Sequence, residues 1–186
     1  LESTLASRGA IVLTEFGRLM PDGSHGPMSV TVGGMKVAGY SDPYERRSAD
    51  DFKDRYDNNP TPEMQDRFLS WALGEVGKVD VIMVHEPALI EPTLEVLRDK
   101  PPPKPVVFVV GHTHHASVDH FPGVSVINGG SVGAGGTGNL TEHTPIGIAR
   151  MTYAIKPRFV PLAADLVSID PGTGSATAQR VRLDSG

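Results

Sequence analysis

Two runs of apolar, mostly β-branched residues end in histidine, and they constrain the fold more than any other feature of the chain. Val79 to His85 is one. Val106 to Val110 is the other, followed by Gly111-His112-Thr113-His114-His115. Short apolar runs bounded by turn residues read as strands buried on both faces, the pattern of a parallel sheet. Between them lie a helical stretch, Pro87 to Arg98, and a stiff proline link, Lys100 to Pro105. A helix between two buried strands is the usual crossover of a parallel pair. In open α/β sheets ligands gather at the carboxyl ends of strands. Adjacent strands would therefore bring His85, His112 and His114 to one edge. On an extended segment a His-x-His pair points both rings to the same side. That makes a two-pronged grip on a metal, and imidazole suits Zn, Fe, Ni and Mn to differing degrees. A lone histidine at a strand end is more often a polar cap, so the weight comes from the set. His115 and His120 stand behind this set or face solvent. His25 and His143 lie in loops with no expected chemistry.

The rest of the chain is mixed α/β. Leu1 to Arg8 reads as the end of a helix stopped by Gly9, and Ala10 to Phe16 as a short strand. Ser29 to Val32, Gly33-Gly34 and Met35 to Ala38 form a hairpin pattern. Tyr40 to Asn59 reads as a long polar loop. Thr61-Pro62-Glu63 opens a helix with an N-cap and a proline at its first position. Its apolar face is Met64, Phe68, Trp71, Ala72 and Val76. Strands follow around Ser117 to Phe121 and Val124 to Ile127, then the glycine-rich stretch Asn128 to Asn139. Gly147 to Ile155, Leu162 to Ile169 and Ala176 to Leu183 read as antiparallel strands. With 186 residues, the chain is expected to form a single domain over 1–186. The net charge of -5 argues against a general affinity for nucleic acid or anionic membranes. Without cysteine, any metal must use His, Asp, Glu, Asn or backbone oxygen. No apolar run approaches the roughly 20 residues of a membrane span, and no signal peptide is evident. A cytoplasmic location is expected.

Val81-Ile82-Met83-Val84-His85, followed by Pro87, resembles the fourth motif of calcineurin-like metallophosphoesterases. Gly111-His112-Thr113-His114 is similar to their fifth, Gly-His-x-His. Asn128-Gly129-Gly130-Ser131 resembles the Asn-Pro-Gly-Ser loop of many members. The order fits from about Ala10 to Ile155. This resemblance implies a four-layer α/β/β/α sandwich with two divalent or trivalent metals (Mn, Fe or Zn) at one edge. His85 and His112 would ligate one metal and His114 the other. The substrate would be a phosphomonoester or phosphodiester, a small molecule or nucleotide, attacked by a metal-activated water. Asn128, Gly129, Gly130 and Ser131 would line the phosphate pocket with backbone N–H groups, or serve only as a connection. Glu86 and His115 would lie behind the ligands. Glu86 either hydrogen-bonds an imidazole or faces solvent.

The family's first three motifs, Asp-x-His, Gly-Asp-x-x-Asp and Gly-Asn-His-Asp or Glu, do not occur. They would supply the bridging aspartate, the asparagine ligand and the general acid, so no catalytic residue is assigned here. Because Leu1 is not an initiator methionine, the domain is expected to be N-terminally truncated, lacking the βαβ motifs. The expectation is one metal or none in this chain, no activity alone, and phosphoester hydrolysis by the intact protein. An uncovered sandwich face would favour a homodimer. The rival reading is a degenerate, non-catalytic phosphoesterase-like module that binds a partner. A metallo-β-lactamase pattern fails because Ala116 and Ser117 stand where Asp and His should. Too little chain follows His112 for an amidohydrolase barrel.

Overall fold

Apolar side chains alternate across the buried runs so that each strand offers one row to helices and the other to a second sheet. In the computed structural model, which describes residues 2–41, 60–131 and 145–183, this produces three layers. The middle layer is a six-stranded sheet. Its strands are β3 (Val30–Val32), β4 (Met35–Tyr40), β5 (Val81–Val84), β6 (Val106–Val110), β7 (Ala116–Phe121) and β8 (Val124–Gly129), in the order β3-β4-β5-β6-β8-β7. β4, β5, β6 and β8 run parallel, and β3 and β7 are antiparallel edges. On one face lie α2 (Pro62–Glu75) and α3 (Glu91–Asp99). Phe68, Ala72, Leu94 and Leu97 of these helices meet Ala38, Ile82, Val84 and Phe108. On the other face lies a three-stranded sheet, β9 (Ile146–Ala154), β10 (Val160–Ile169) and β11 (Ala176–Arg182), with β10 in the centre. Ala164, Val181 and Met151 of that sheet pack on Val37, Val81, Val107 and Ile127. A short helix, α1 (Glu2–Ser7), and a two-stranded hairpin, β1 (Val12–Thr14) and β2 (Gly17–Leu19), precede these layers. The mixed α/β class is as expected.

Local chemistry explains most element boundaries. Thr61 caps α2, its hydroxyl accepting from the Met64 N–H. Gly33 and Gly34 both have positive φ and turn β3 into β4. The expected single helix from Pro87 to Arg98 is broken. Pro87–Leu89 forms a 3-10 turn and α3 begins at Glu91. Pro92 is the reason: it lacks the N–H that a continuous helix would donate to Ala88. The expected strand from Ala10 to Phe16 is instead one arm of the β1–β2 hairpin, held by the Thr14 hydroxyl donating to the Gly17 carbonyl at 2.9 Å. Most of the Tyr40–Asn59 loop, His143 and most of the glycine-rich stretch lie outside the described residues.

The two sheets come close together where Gly130 meets Gly147. Gly130 has φ +70, and a Cβ there would fall 2.8–2.9 Å from the Gly147 backbone. Gly9 has φ +88 but open space around it. Gly9→Ala should therefore cost only the left-handed backbone penalty, about 1–2 kcal/mol. Gly130→Ala should add a steric clash and cost about 3 kcal/mol or more. Urea unfolding of both variants checks this, and equal losses would show that the sheets can separate freely at Gly130.

Candidate functional site

Strand order dictates the shape of the histidine turn. β8 lies between β6 and β7, so the connection Gly111–His115 must cross the carboxyl end of β8. That crossing is two strand spacings, about 10 Å, which five residues span with slack. The slack is taken up as a tight turn. The Thr113 N–H donates to the Gly111 carbonyl at 2.8 Å, a three-residue turn centred on His112, whose φ is 64. His114 also has positive φ, at 61. Non-glycine residues seldom adopt this region. The expected extended His-x-His with both rings on one side is thus not what forms.

Asn128 holds the turn in place. It is buried, 3% exposed, and pairs in register with Val110 at the end of β6. Its Nδ2 donates to the Gly111 carbonyl and to the Thr113 hydroxyl, both at 2.8 Å. Its Oδ1 accepts from the Gly130 N–H at 3.0 Å. The carboxamide is thereby committed on both ends to protein. Gly129 and Gly130 continue past it, and Ser131 ends the described part of the loop.

His85 and His112 meet. β5 and β6 are paired through Met83 and Val109, and the Gly111 N–H extends that pairing by donating to the His85 carbonyl at 3.0 Å. The two imidazole rings stand edge to face with centroids 5.3 Å apart. A Cβ at position 111 would lie 3.0 Å from His85 Nδ1, so any larger residue would push against that ring. Glu86 completes the group. Far from facing solvent, it is 5% exposed. One carboxylate oxygen accepts from the Ala88 N–H at 3.0 Å, and the other lies 3.5 Å from His112 Nε2. His114 goes elsewhere. With His115 it lines a cleft against β10 and β11, whereas His85 lines an apolar hollow of about 350 Å³ with Ile11, Met83 and Val109. The strands do carry the three histidines to one edge of the sheet. However, no group of three or more His, Asp or Glu side chains gathers as metal ligands among the described residues. His25 packs edge to face on Phe16. The strand-end signal points to two residues that meet, His85 and His112, and Glu86, read either as an imidazole's partner or as facing solvent, is buried beside them.

Asn128→Asp keeps the side chain's shape but replaces two donors with an acceptor facing a carbonyl oxygen. It should destabilise the fold by about 1–3 kcal/mol and shift the ring signals of His85 and His112 in a proton–nitrogen NMR spectrum. Unchanged ring signals would mean that the turn holds its shape without Asn128.

A model of the calcineurin-like phosphoesterase superfamily domain matches residues 29–151. No curated protein matches the chain. Among solved structures, vacuolar protein sorting 29 from Cryptosporidium parvum aligns with a TM-score of 0.36 and 14% identity, over 88% of this chain and 60% of that one. Wild-type Vps29 from Entamoeba histolytica, complexed with Zn²⁺, aligns with a TM-score of 0.33 and 13% identity, over 83% and 58%. The chain thus spans less than two thirds of the length of these two structures. The superfamily match covers well over half of the sequence and includes His85, His112, His114 and Asn128, and the chain belongs to the calcineurin-like phosphoesterase superfamily.

Proposed function

We propose that this chain is the histidine-bearing part of a metal-dependent phosphoester hydrolase that acts, in the intact protein, on a phosphomonoester or phosphodiester. The observation that supports this most is the meeting of His85 and His112 at the carboxyl ends of two adjacent parallel strands. Two imidazoles can serve one divalent ion such as Mn, Fe or Zn. They fall short of the three protein ligands usual at a catalytic zinc, and His114 is turned to another cleft. The described donors therefore do not fit a two-metal centre by themselves. In this reading, carboxylates from outside the chain complete the site in the intact protein.

What the chain itself contributes is orientation. Asn128 sets the turn, Gly111 leaves room for the His85 ring, and Glu86 lies against His112 Nε2 and restrains that ring. Carboxylates that orient ligand histidines typically change metal affinity 10–100-fold when removed.

One observation favours a non-catalytic binding module instead: the turn sends His112 towards Glu86 and His114 to a separate cleft against β10 and β11. Metal content after equilibration with Mn²⁺ or Zn²⁺ separates the readings, together with turnover of bis(p-nitrophenyl) phosphate. The hydrolase reading expects at most one ion per isolated chain, lost in His112→Ala, and turnover only in the full-length gene product. Glu86→Gln should weaken that ion by about tenfold or more. Two ions with turnover in the isolated chain would sink the half-site. Absence of both metal and turnover in the full-length product would leave the binding module.

A further inference from the structure

The inward face of the three-stranded sheet changes character along its length. β9, β10 and β11 are in register, so opposed residues form rows across the sheet. Met151, Ala164 and Val181 make one row, and all three pack in the core between the sheets. Residues two positions along each strand share that face. The next row is Ala149, Leu166 and Gln179, and the one beyond is Gly147, Ser168 and Thr177. Three of these six positions, Gln179, Ser168 and Thr177, are polar and exposed, while Ala149 and Leu166 stay apolar and half-buried, so the face leaves the core here and borders solvent. The histidine turn faces these two rows. His114, His115 and Ala116 line a cleft of about 360 Å³ together with Gly147, Leu166, Ser168, Thr177 and Gln179.

The lining defines a kind of ligand. Among the described residues that line the cleft, only the two imidazoles can carry a charge. A peptide bearing several charges, or a polyanion, would find few partners there. Serine and threonine hydroxyls and the glutamine carboxamide are neutral donors and acceptors. Histidine rings offer flat faces on which a base can stack. A glutamine carboxamide can match the donor–acceptor edge of adenine with two hydrogen bonds. Small-ligand sites run from about 300 to 1,000 Å³, and this cleft falls in that range. We propose that the cleft receives the organic portion of the phosphoester, and that it selects a flat, uncharged heterocycle with donor and acceptor on one edge, as a purine nucleobase has. The link to a phosphoester rests on the function proposed above; the ring subsite itself rests on the register and the lining.

The test uses the whole chain, labelled with ¹⁵N, and three probes: adenosine, adenosine 5′-monophosphate and ribose 5-phosphate. Adenosine and its monophosphate should shift the amide signals of Gly147, Ser168 and Gln179. Ribose 5-phosphate should leave those signals in place. Gln179→Leu, on an exposed position of β11, should weaken adenosine binding about tenfold, the worth of one or two hydrogen bonds, with the thermal midpoint unchanged. Adenosine that shifts none of these signals, or that binds Gln179→Leu as tightly as the parent, overturns the inference. If ribose 5-phosphate then still perturbs His85 and His112, only the ring subsite falls and the phosphoester reading stands. If adenosine binds but the Mn²⁺-loaded full-length product neither binds nor hydrolyses a phosphate ester, the cleft keeps its assignment and the phosphoester reading falls.

Discussion

A single buried carboxamide connects the segments that make the site. Asn128 sits at the end of β8, bonds to the Gly111 carbonyl and Thr113 hydroxyl on one side, and receives the Gly130 N–H on the other. Because β8 is inserted between β6 and β7, the histidine turn has to pass over Asn128. Gly130 then abuts Gly147 of the second sheet. One residue therefore couples the path of the turn to the spacing between the sheets. A buried amide left unbonded costs about 1–3 kcal/mol, so the turn and the side chain stabilise each other. This helps offset the backbone cost of two histidines at positive φ, about 1–2 kcal/mol each. Proteins keep such departures from local preference mainly where a site uses them.

The turn also divides the histidines. His112 faces β5, where it finds His85 and Glu86. His114 faces β10 and β11. The hollow beside His85 and the cleft beside His114 differ in chemistry, one lined by Ile11, Met83 and Val109 and the other by Ser168, Thr177 and Gln179. A ligand anchored near the turn therefore has an apolar side and a polar side available to it. The register of the second sheet decides which residues form the polar side. A one-residue slip between β10 and β11 would turn Gln179 and Thr177 outward and remove them from the cleft.

Much of this was legible in the residues alone, and the reasons are specific. Val81–Val84 and Val106–Val110 could hardly be anything but buried parallel strands, since they are short, β-branched and bounded by turn residues. Thr61-Pro62 and Gly33-Gly34 carry capping and turn chemistry that acts over a few residues. The failures were all non-local or set by a single residue. Pro92 split a helix whose apolar pattern ran on through it. The three-residue strands β1 and β2 were too short to show a period. The form of the His112–His114 turn depends on β8 lying between its two flanking strands. No window around Gly111 contains that fact. Glu86 could be read either as an imidazole's partner or as facing solvent, because its contact with His112 crosses from the end of β5 to the turn after β6.

The histidines belong to neither apolar cluster. The first cluster is closed by α2 and α3 on one side of the sheet and the second by β9–β11 on the other, and each is made of aliphatic and aromatic side chains around Phe108 and Val107 respectively. In small metallo-domains the free energy of metal binding is itself the folding free energy, and the protein unfolds without the ion. Here the turn is held by Asn128 and the sheets by their own apolar faces. Any ion that the site takes up would meet a ring arrangement already built by the fold, so the cost of ordering His85 and His112 falls on folding and not on binding. That separation lets the residues around the turn change the ligand that the site accepts without changing the framework that holds it.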